Sequence, residues 1–353
     1  NVDGASFSSF GSIALASDSS INVSGTNMVS IRGGQFVLSV NDAVLTTLTS
    51  SQTPGLSETI SLSPGSSIVT SNSGAGPGTD VQLIASNVQM DGASIITSPA
   101  EGSFGKGGDV TIFVTGSATF TDGMIQTAAA DFSSAGSAGA VSVTANDSLE
   151  MINTTINARA LFANGNAGPV TLKTYGSLSL TDSFISTQSS APGNGGTVTI
   201  TGKDVTLNNS SILTFIFGND DPALGLLHAG TVTITAENTV TVSGSLFGDP
   251  GIPVISANAT GAFVDAGPVT IAGKTVNLSN GTIDVGMQEG QISSPENSGA
   301  IEIRGNNVNL SQFTLQSVNA GRTDSSGKGG SILLRGTDNL RADNIHLTNS
   351  AII

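Results

Sequence analysis

Residues 193–212 read Gly-Asn-Gly-Gly-Thr-Val-Thr-Ile-Thr-Gly-Lys-Asp-Val-Thr-Leu-Asn-Asn-Ser-Ser-Ile, and this pattern recurs along most of the chain. An apolar–polar–apolar triplet, Val198-Thr199-Ile200, follows the glycines. A second triplet starts seven residues on, at Val205, and a lone apolar residue, Ile212, follows at fourteen. The first position recurs at Val81, Val110, Val141, Val170, Val198, Val232, Val269, Ile301 and Ile332, at intervals of 29, 31, 29, 28, 34, 37, 32 and 31 residues. The second triplet recurs as Val88/Met90, Leu149/Met151, Leu178/Leu180, Val276/Leu278 and Val308/Leu310. The third position recurs as Ile95, Ile125, Ile156, Ile185, Ile283 and Leu315. Branched residues at alternate positions favour short pleated strands with one buried face.

Each repeat thus predicts three short strands without a helix between them. Turn residues separate them: Thr201-Gly202-Lys203 after the first strand, Thr181-Asp182-Ser183 or Asn208-Asn209-Ser210 after the second, and a longer connection ending in Gly-Gly or Gly-Pro after the third. Such a repeat describes one coil of a parallel β-helix, and the crossover rule makes it right-handed. An antiparallel sandwich has turns every ~8–12 residues but no fixed three-strand period. The expected fold is all-β, with three strands per coil of about thirty residues and some eleven or twelve coils. At ~4.8 Å per coil that is a rod of ~50–60 Å.

Residues 1–80 are a less regular start of the same solenoid, and 81–353 the regular part. In the first stretch Ile13/Leu15, Ile21/Val23 and Val29/Ile31 read as one coil. Phe36, Leu38, Val44, Leu45 and Leu48 read as a second, and Ile60/Leu62 with Ile68 as the start of a third.

Composition narrows the function. The 353 residues carry 26 acidic and 11 basic side chains, a net charge of −15, which excludes a basic nucleic-acid footprint. Without Cys there is no disulfide, zinc-thiolate or catalytic-thiol chemistry. No apolar run approaches the ~18 residues of a membrane span.

The period lengthens twice, through insertions at 213–230 and 244–253. Both are apolar, with Phe215, Phe217, Leu224, Leu226, Leu227, Leu246, Phe247 and Ile252. They either fold back over a coil or form a protein-contact patch, since exposed apolar clusters mark interfaces. Segment 286–299 is polar and reads as a loop.

Chemistry-bearing residues are sparse. His228 and His346 lie far apart in the repeat and read as solvated. Asp109, Asp122, Asp147, Asp182 and Asp204 sit in turns rather than in the close carboxyl pair that glycosidic cleavage requires. Asp220-Asp221 is the one adjacent acidic pair of note, a weak cation candidate in a solvated loop. The glycine-rich segments precede strands, not helices, so they are turns and not phosphate loops. No cofactor, metal or catalytic residue is expected.

The segments Gly-Asn-Gly-Gly-Thr-Val-Thr-Ile at 193–200, Val205–Ile212 and Arg32–Leu45 resemble the repeats of the filamentous haemagglutinin family. Nearly the whole chain shares the likeness. It implies a bacterial surface or exported β-helix that uses an outer-membrane secretion partner. The family's Asn-Pro-Asn-Gly motif is absent, and the chain starts Asn-Val-Asp-Gly without a signal peptide, which fits a processed chain or a downstream segment.

The expectation is therefore an extracellular structural or adhesive rod, a building block of surface fibres, whose partners are its own copies and neighbouring or host-surface glycans or proteins. The alternative is a carbohydrate-active β-helix enzyme or a polysaccharide-binding module. One Tyr and no Trp leave few sugar-stacking platforms. Both ends of a β-helix expose strand edges, and neither end here carries an amphipathic capping helix. Ile345, Leu347, Ile352 and Ile353 are the candidate contacts for head-to-tail stacking, which does not close and so forms filaments.

Overall fold

The computed structural model describes residues 59–71, 78–98, 105–128, 136–160, 165–190, 192–218, 225–244, 254–261, 263–288, 297–319, 328–337 and 341–353. It also describes residue 18 and the backbone of strands at 6–8, 13–15, 20–24, 28–32 and 35–39. These residues form an all-β parallel solenoid of about seven turns, with no helix among them. The turns stack because, within the winding, each ladder strand is bonded to its counterparts in the turn before and the turn after.

Three ladders run along the axis. In the first, Val110, Val141, Val170, Val198, Val232, Val269 and Ile301 stand opposite one another in successive turns. In the second, Val88, Ala118, Leu149, Leu178, Val205, Val240, Val276 and Val308 do the same. The third is Ile95, Ile125, Ile156, Ile185, Ile212, Ile255, Ile283 and Leu315. All of these are buried and form one continuous core. Thr111, Ser142, Thr171, Thr199, Thr270 and Glu302, between the apolar residues of the first ladder, face outward and are partly exposed. A register slip of one residue would exchange the two sets, so the alternation pins the pairing.

The corner between second and third ladders repeats one backbone device. Asp122, Asn153, Asp182 and Asn209 have φ of 50°, 47°, 49° and 49°, the left-handed region that Asn and Asp tolerate best among residues with a side chain. The Asn153 amide donates to Asp122 at 2.6 Å, and Asn209 donates likewise to Asp182, so the corner is also tied between turns. After Asn153, Asp182 and Asn209 the next residue, Thr154, Ser183 or Ser210, carries a buried hydroxyl. Ser183 Oγ accepts the Thr154 N–H at 3.1 Å and donates to the Thr181 carbonyl at 2.8 Å. Ser210 Oγ does the same for Ser183 and Asn208, both at 3.0 Å. Corner backbone groups that the ladders leave over are satisfied in this way.

The third connection is closed at its base. Gly139 donates its N–H to the Thr127 carbonyl at 3.1 Å, and the Thr127 hydroxyl donates to the Gly139 carbonyl at 2.6 Å. Thr187 with Gly196, and Thr214 with Gly230, repeat the pair. The glycines themselves are packed backbone on backbone. A Cβ on Gly108, Gly139, Gly168, Gly196, Gly230, Gly267, Gly299 or Gly330 would overlap the carbonyl oxygen of the residue below it in the stack.

Three expectations change. The winding is about seven turns, not eleven or twelve. Part of the reason lies in the first eighty residues. Ile13, Ile21 and Val29 pair in parallel with Ile60, Ile68 and Val81, as one coil above another. The stretch Gln35–Ser39, with Phe36 and Leu38, is not a second coil. It turns back antiparallel on Met28–Arg32 and pairs antiparallel with Ser6–Ser8. Val44, Leu45 and Leu48 lie outside the described residues. Strand count is the second change. A further ladder joins Ser189–Ser190, Ile216–Phe217, Ala259–Thr260 and Met287–Gln288, and Leu227–His228 pairs with Val264–Asp265. Three strands do not describe those turns. Thirdly, the start of the polar segment 286–299 is therefore a strand, not a loop.

The glycine stack is testable. Gly139→Ala must push two backbones apart, and overpacking of this kind costs about 1–3 kcal/mol or more. Gly329→Ala, whose nearest neighbour is the Ser317 carbonyl oxygen at 3.8 Å, should change stability by less than about 0.5 kcal/mol. Urea unfolding of the two variants checks both values. Val198→Asp should cost several kcal/mol by burying a charge at a fully buried site; a thermal melt within about 2 °C of the parent would contradict this.

Candidate functional site

The insertion at 213–230 divides by strand alternation. Ile216 and Leu227 point into a small satellite core with Ala229, Ala259, Val264, Ala266 and Met287. Phe215 and Phe217 take the opposite face, their rings 4.1 Å apart and nearly perpendicular, an edge-to-face pair. Phe217 is 45% exposed and Leu226 43% exposed. Ile216 and Leu227 of the insertion are thus buried, while Phe217 and Leu226 are exposed. Leu224, Leu246, Phe247 and Ile252, like Asp220 and Asp221, lie outside the described residues.

A second apolar surface lies on the axis. Ile345, Leu347 and Ile352 stand opposite Val308, Leu310 and Leu315. Their positions in the winding are inward-pointing, yet they are 45%, 49% and 46% exposed, because among the described residues no turn lies over them. Ile353 is also exposed, and its backbone bonds Leu315 and Ser317. At the other end one ladder's edge is covered, while Ile13–Leu15 and Ser20–Ser24 have one partner strand each among the described residues. Met28–Arg32 has a parallel neighbour on one side and the antiparallel strand Gln35–Ser39 on the other. The two ends therefore differ, and the unpaired edge expected at both is absent from this ladder at 28–39.

Columns of polar residues run in register on the outer faces of the first two ladders, beside the exposed apolar Phe113 and Leu333. Thr171, Thr199, Thr233 and Thr270 follow one another on the first ladder. Ser179, Thr206, Thr241, Asn277 and Asn309 follow on the second, where Asn309 donates its amide to Asn277 at 2.8 Å. His346 continues that column and is exposed. His228 is exposed too, with Nδ1 3.7 Å from an Asp265 carboxylate oxygen. The two histidines share no site.

One charged cluster interrupts the first ladder's outer face. Ala272, Arg304 and Arg335 occupy the same column in consecutive turns. Glu302 reaches both guanidiniums: Arg304 Nη2 donates to its Oε2 at 2.6 Å, and Arg335 Nη2 donates to its Oε1. The Arg304 hydrogen bond is the largest influence holding the Glu302 carboxyl below its ordinary range. Arg335 adds to it, while partial burial works the other way. Reading the sequence placed Glu302 outward but missed its partners. The signal was present: Arg304 and Arg335 are spaced like Ile301 and Ile332.

Among the described residues no group of three or more His, Asp or Glu is placed to hold a metal ion. No family model, curated protein or solved structure matches the chain.

Two outcomes follow from this geometry. Replacing Phe217 and Leu226 together with Ser should weaken association or attachment and leave the melting temperature nearly unchanged, whereas Leu227→Ser should lower it. Sedimentation beside a thermal melt separates the two effects. For Glu302, the lowered folded-state pKa means that its stabilising contribution is present above the unfolded value of about 4.3 and is lost as pH falls through the folded value. Urea midpoints at pH 6 and at pH 3 should differ more for the parent than for Glu302→Gln; equal differences would show that the cluster carries no linkage.

Proposed function

We propose that the chain is an extracellular rod of the filamentous haemagglutinin type, structural or adhesive in role and not catalytic. In this reading the winding is right-handed and each regular coil is built on three strands, with extra strands where insertions widen it. The chain belongs at the surface of a bacterium or outside it, delivered by an outer-membrane secretion partner. The exposed patch at Phe217 and Leu226 and the axial surface at 345–353 serve contacts with other proteins or with further turns of solenoid.

The observation that carries the reading is the uninterrupted stacking. From Val81 to Ile301 every turn is joined to the next along three ladders, which makes a stiff body of ~34 Å at ~4.8 Å per turn. Its outer faces are repeated rows of Thr, Ser and Asn. Repetition of one polar surface suits spacing, coating or multivalent attachment, where weak contacts add through their number.

Beads coated with the purified chain should bind bacterial or host cell surfaces, and the bound fraction should rise steeply with coating density. The chain should release no reducing ends from pectic or other surface polysaccharides. Release that disappears in Glu302→Gln or Asp122→Asn would overturn the proposal in favour of a carbohydrate-active enzyme.

A further inference from the structure

The outer side of the third ladder, in its middle turns, is buried where a solenoid surface is ordinarily wet. Asn157, Ser186, Ser256 and Asp284 project on that side and are all buried, and the residues after them, Ala158, Thr187, Ala257 and Val285, are buried in the core. Both faces of the strand are covered there. The covering begins where the chain bends from the third ladder into the short fourth one. Register is kept across the bend. Asn157, Ser186, Leu213, Ser256 and Asp284 succeed one another turn by turn, and so do Ala160, Ser189, Ile216, Ala259 and Met287 beyond it. The residues between, Arg159, Gln188, Phe215, Asn258 and Gly286, form a third file beside them.

The polar atoms of this seam are only partly used. Asn258 donates its amide to Asp284 Oδ2 at 3.0 Å, and Asp284 Oδ1 accepts the Gly286 N–H at 2.8 Å. Asn258 Oδ1 has no partner in the chain, nor have Ser186 Oγ and Arg159 Nε, and each of these atoms is shut off from the surface. They lie on one side of the molecule, in the files that follow the third ladder. A donor, an acceptor and a hydroxyl without partners along one buried seam are too costly to leave dry.

We infer that internal water occupies this seam and bonds Arg159 Nε, Ser186 Oγ and Asn258 Oδ1. The site offers polar side chains with both donors and acceptors, as a buried water making ~3 hydrogen bonds needs. The middle turn places Leu213 and Phe215 at these positions, so the polar groups fall in two clusters, Asn157, Arg159 and Ser186 in one and Ser256, Asn258 and Asp284 in the other. An ordinary surface groove would exchange its water freely. These molecules are enclosed and long-lived.

Oxygen-17 relaxation dispersion of the intact chain in solution detects long-lived internal water. The parent should give a clear dispersion, and Ser186→Ala combined with Asn258→Leu should reduce it. A dispersion unchanged in that variant, or absent from the parent, overturns the inference. A high-resolution crystal structure of the unmodified chain is the second measurement and does not depend on the variant folding. Water oxygens within hydrogen-bond reach of Ser186 Oγ and Asn258 Oδ1 are expected. Either atom found bonded to a protein group, or facing an empty space, overturns the proposal.

Discussion

Backbone meets backbone without a side chain between at a point that recurs in every regular turn, two residues before the first ladder, and the winding is arranged around that contact. Gly108, Gly139, Gly168, Gly196, Gly230, Gly267, Gly299 and Gly330 lie so close to the carbonyl below that a single methyl group would force the turns apart. Each is two residues before the anchor of the first ladder. Seating the glycine therefore sets the height and phase at which Val110, Val141, Val170 and their successors begin. Once those are placed, period-2 alternation carries the apolar residues inward along the whole coil.

Loops between the third and first ladders are thereby released from structural duty. The paired bonds between Thr127 and Gly139, Thr187 and Gly196, and Thr214 and Gly230 close each connection before it leaves the body of the rod. Whatever lies between the two residues of a pair can vary in length without disturbing the ladders, since loop closure grows only slowly with length. Insertion 213–230 exploits this. It adds two short strands and part of a small core on one side while Val198, Val232 and Val269 stay in register.

Much of the fold was legible because its signal is periodic. Val198, Ile200, Val205, Leu207 and Ile212 announce three alternating strands, and eight further repeats confirm the spacing. Phe36 and Leu38 alternate in the same way, yet their strand runs antiparallel, because alternation specifies a buried face and says nothing about the direction of the neighbour. Ser189–Ser190 and Ile216–Phe217 are too short to show a period at all. The outward residues are harder still. Glu302, Arg304 and Arg335 look like scattered surface charges until the repeat length is used to lay one turn over another. Ser186 and Asn258, outward by pattern and buried in fact, could not be read from alternation, since what covers them is a bend in the chain and not a partner strand.

The hydrogen bonds between turns point along the axis of the winding, and this gives the molecule a particular mechanical character. A pull applied at the two ends loads those bonds in line, and the outermost turn bears it first. When that turn peels away it frees about thirty residues, which extend by ~100 Å at ~3.3–3.6 Å each. The next turn then takes up the load intact. A solenoid pulled in this way should lengthen in steps, each turn opening in its own right.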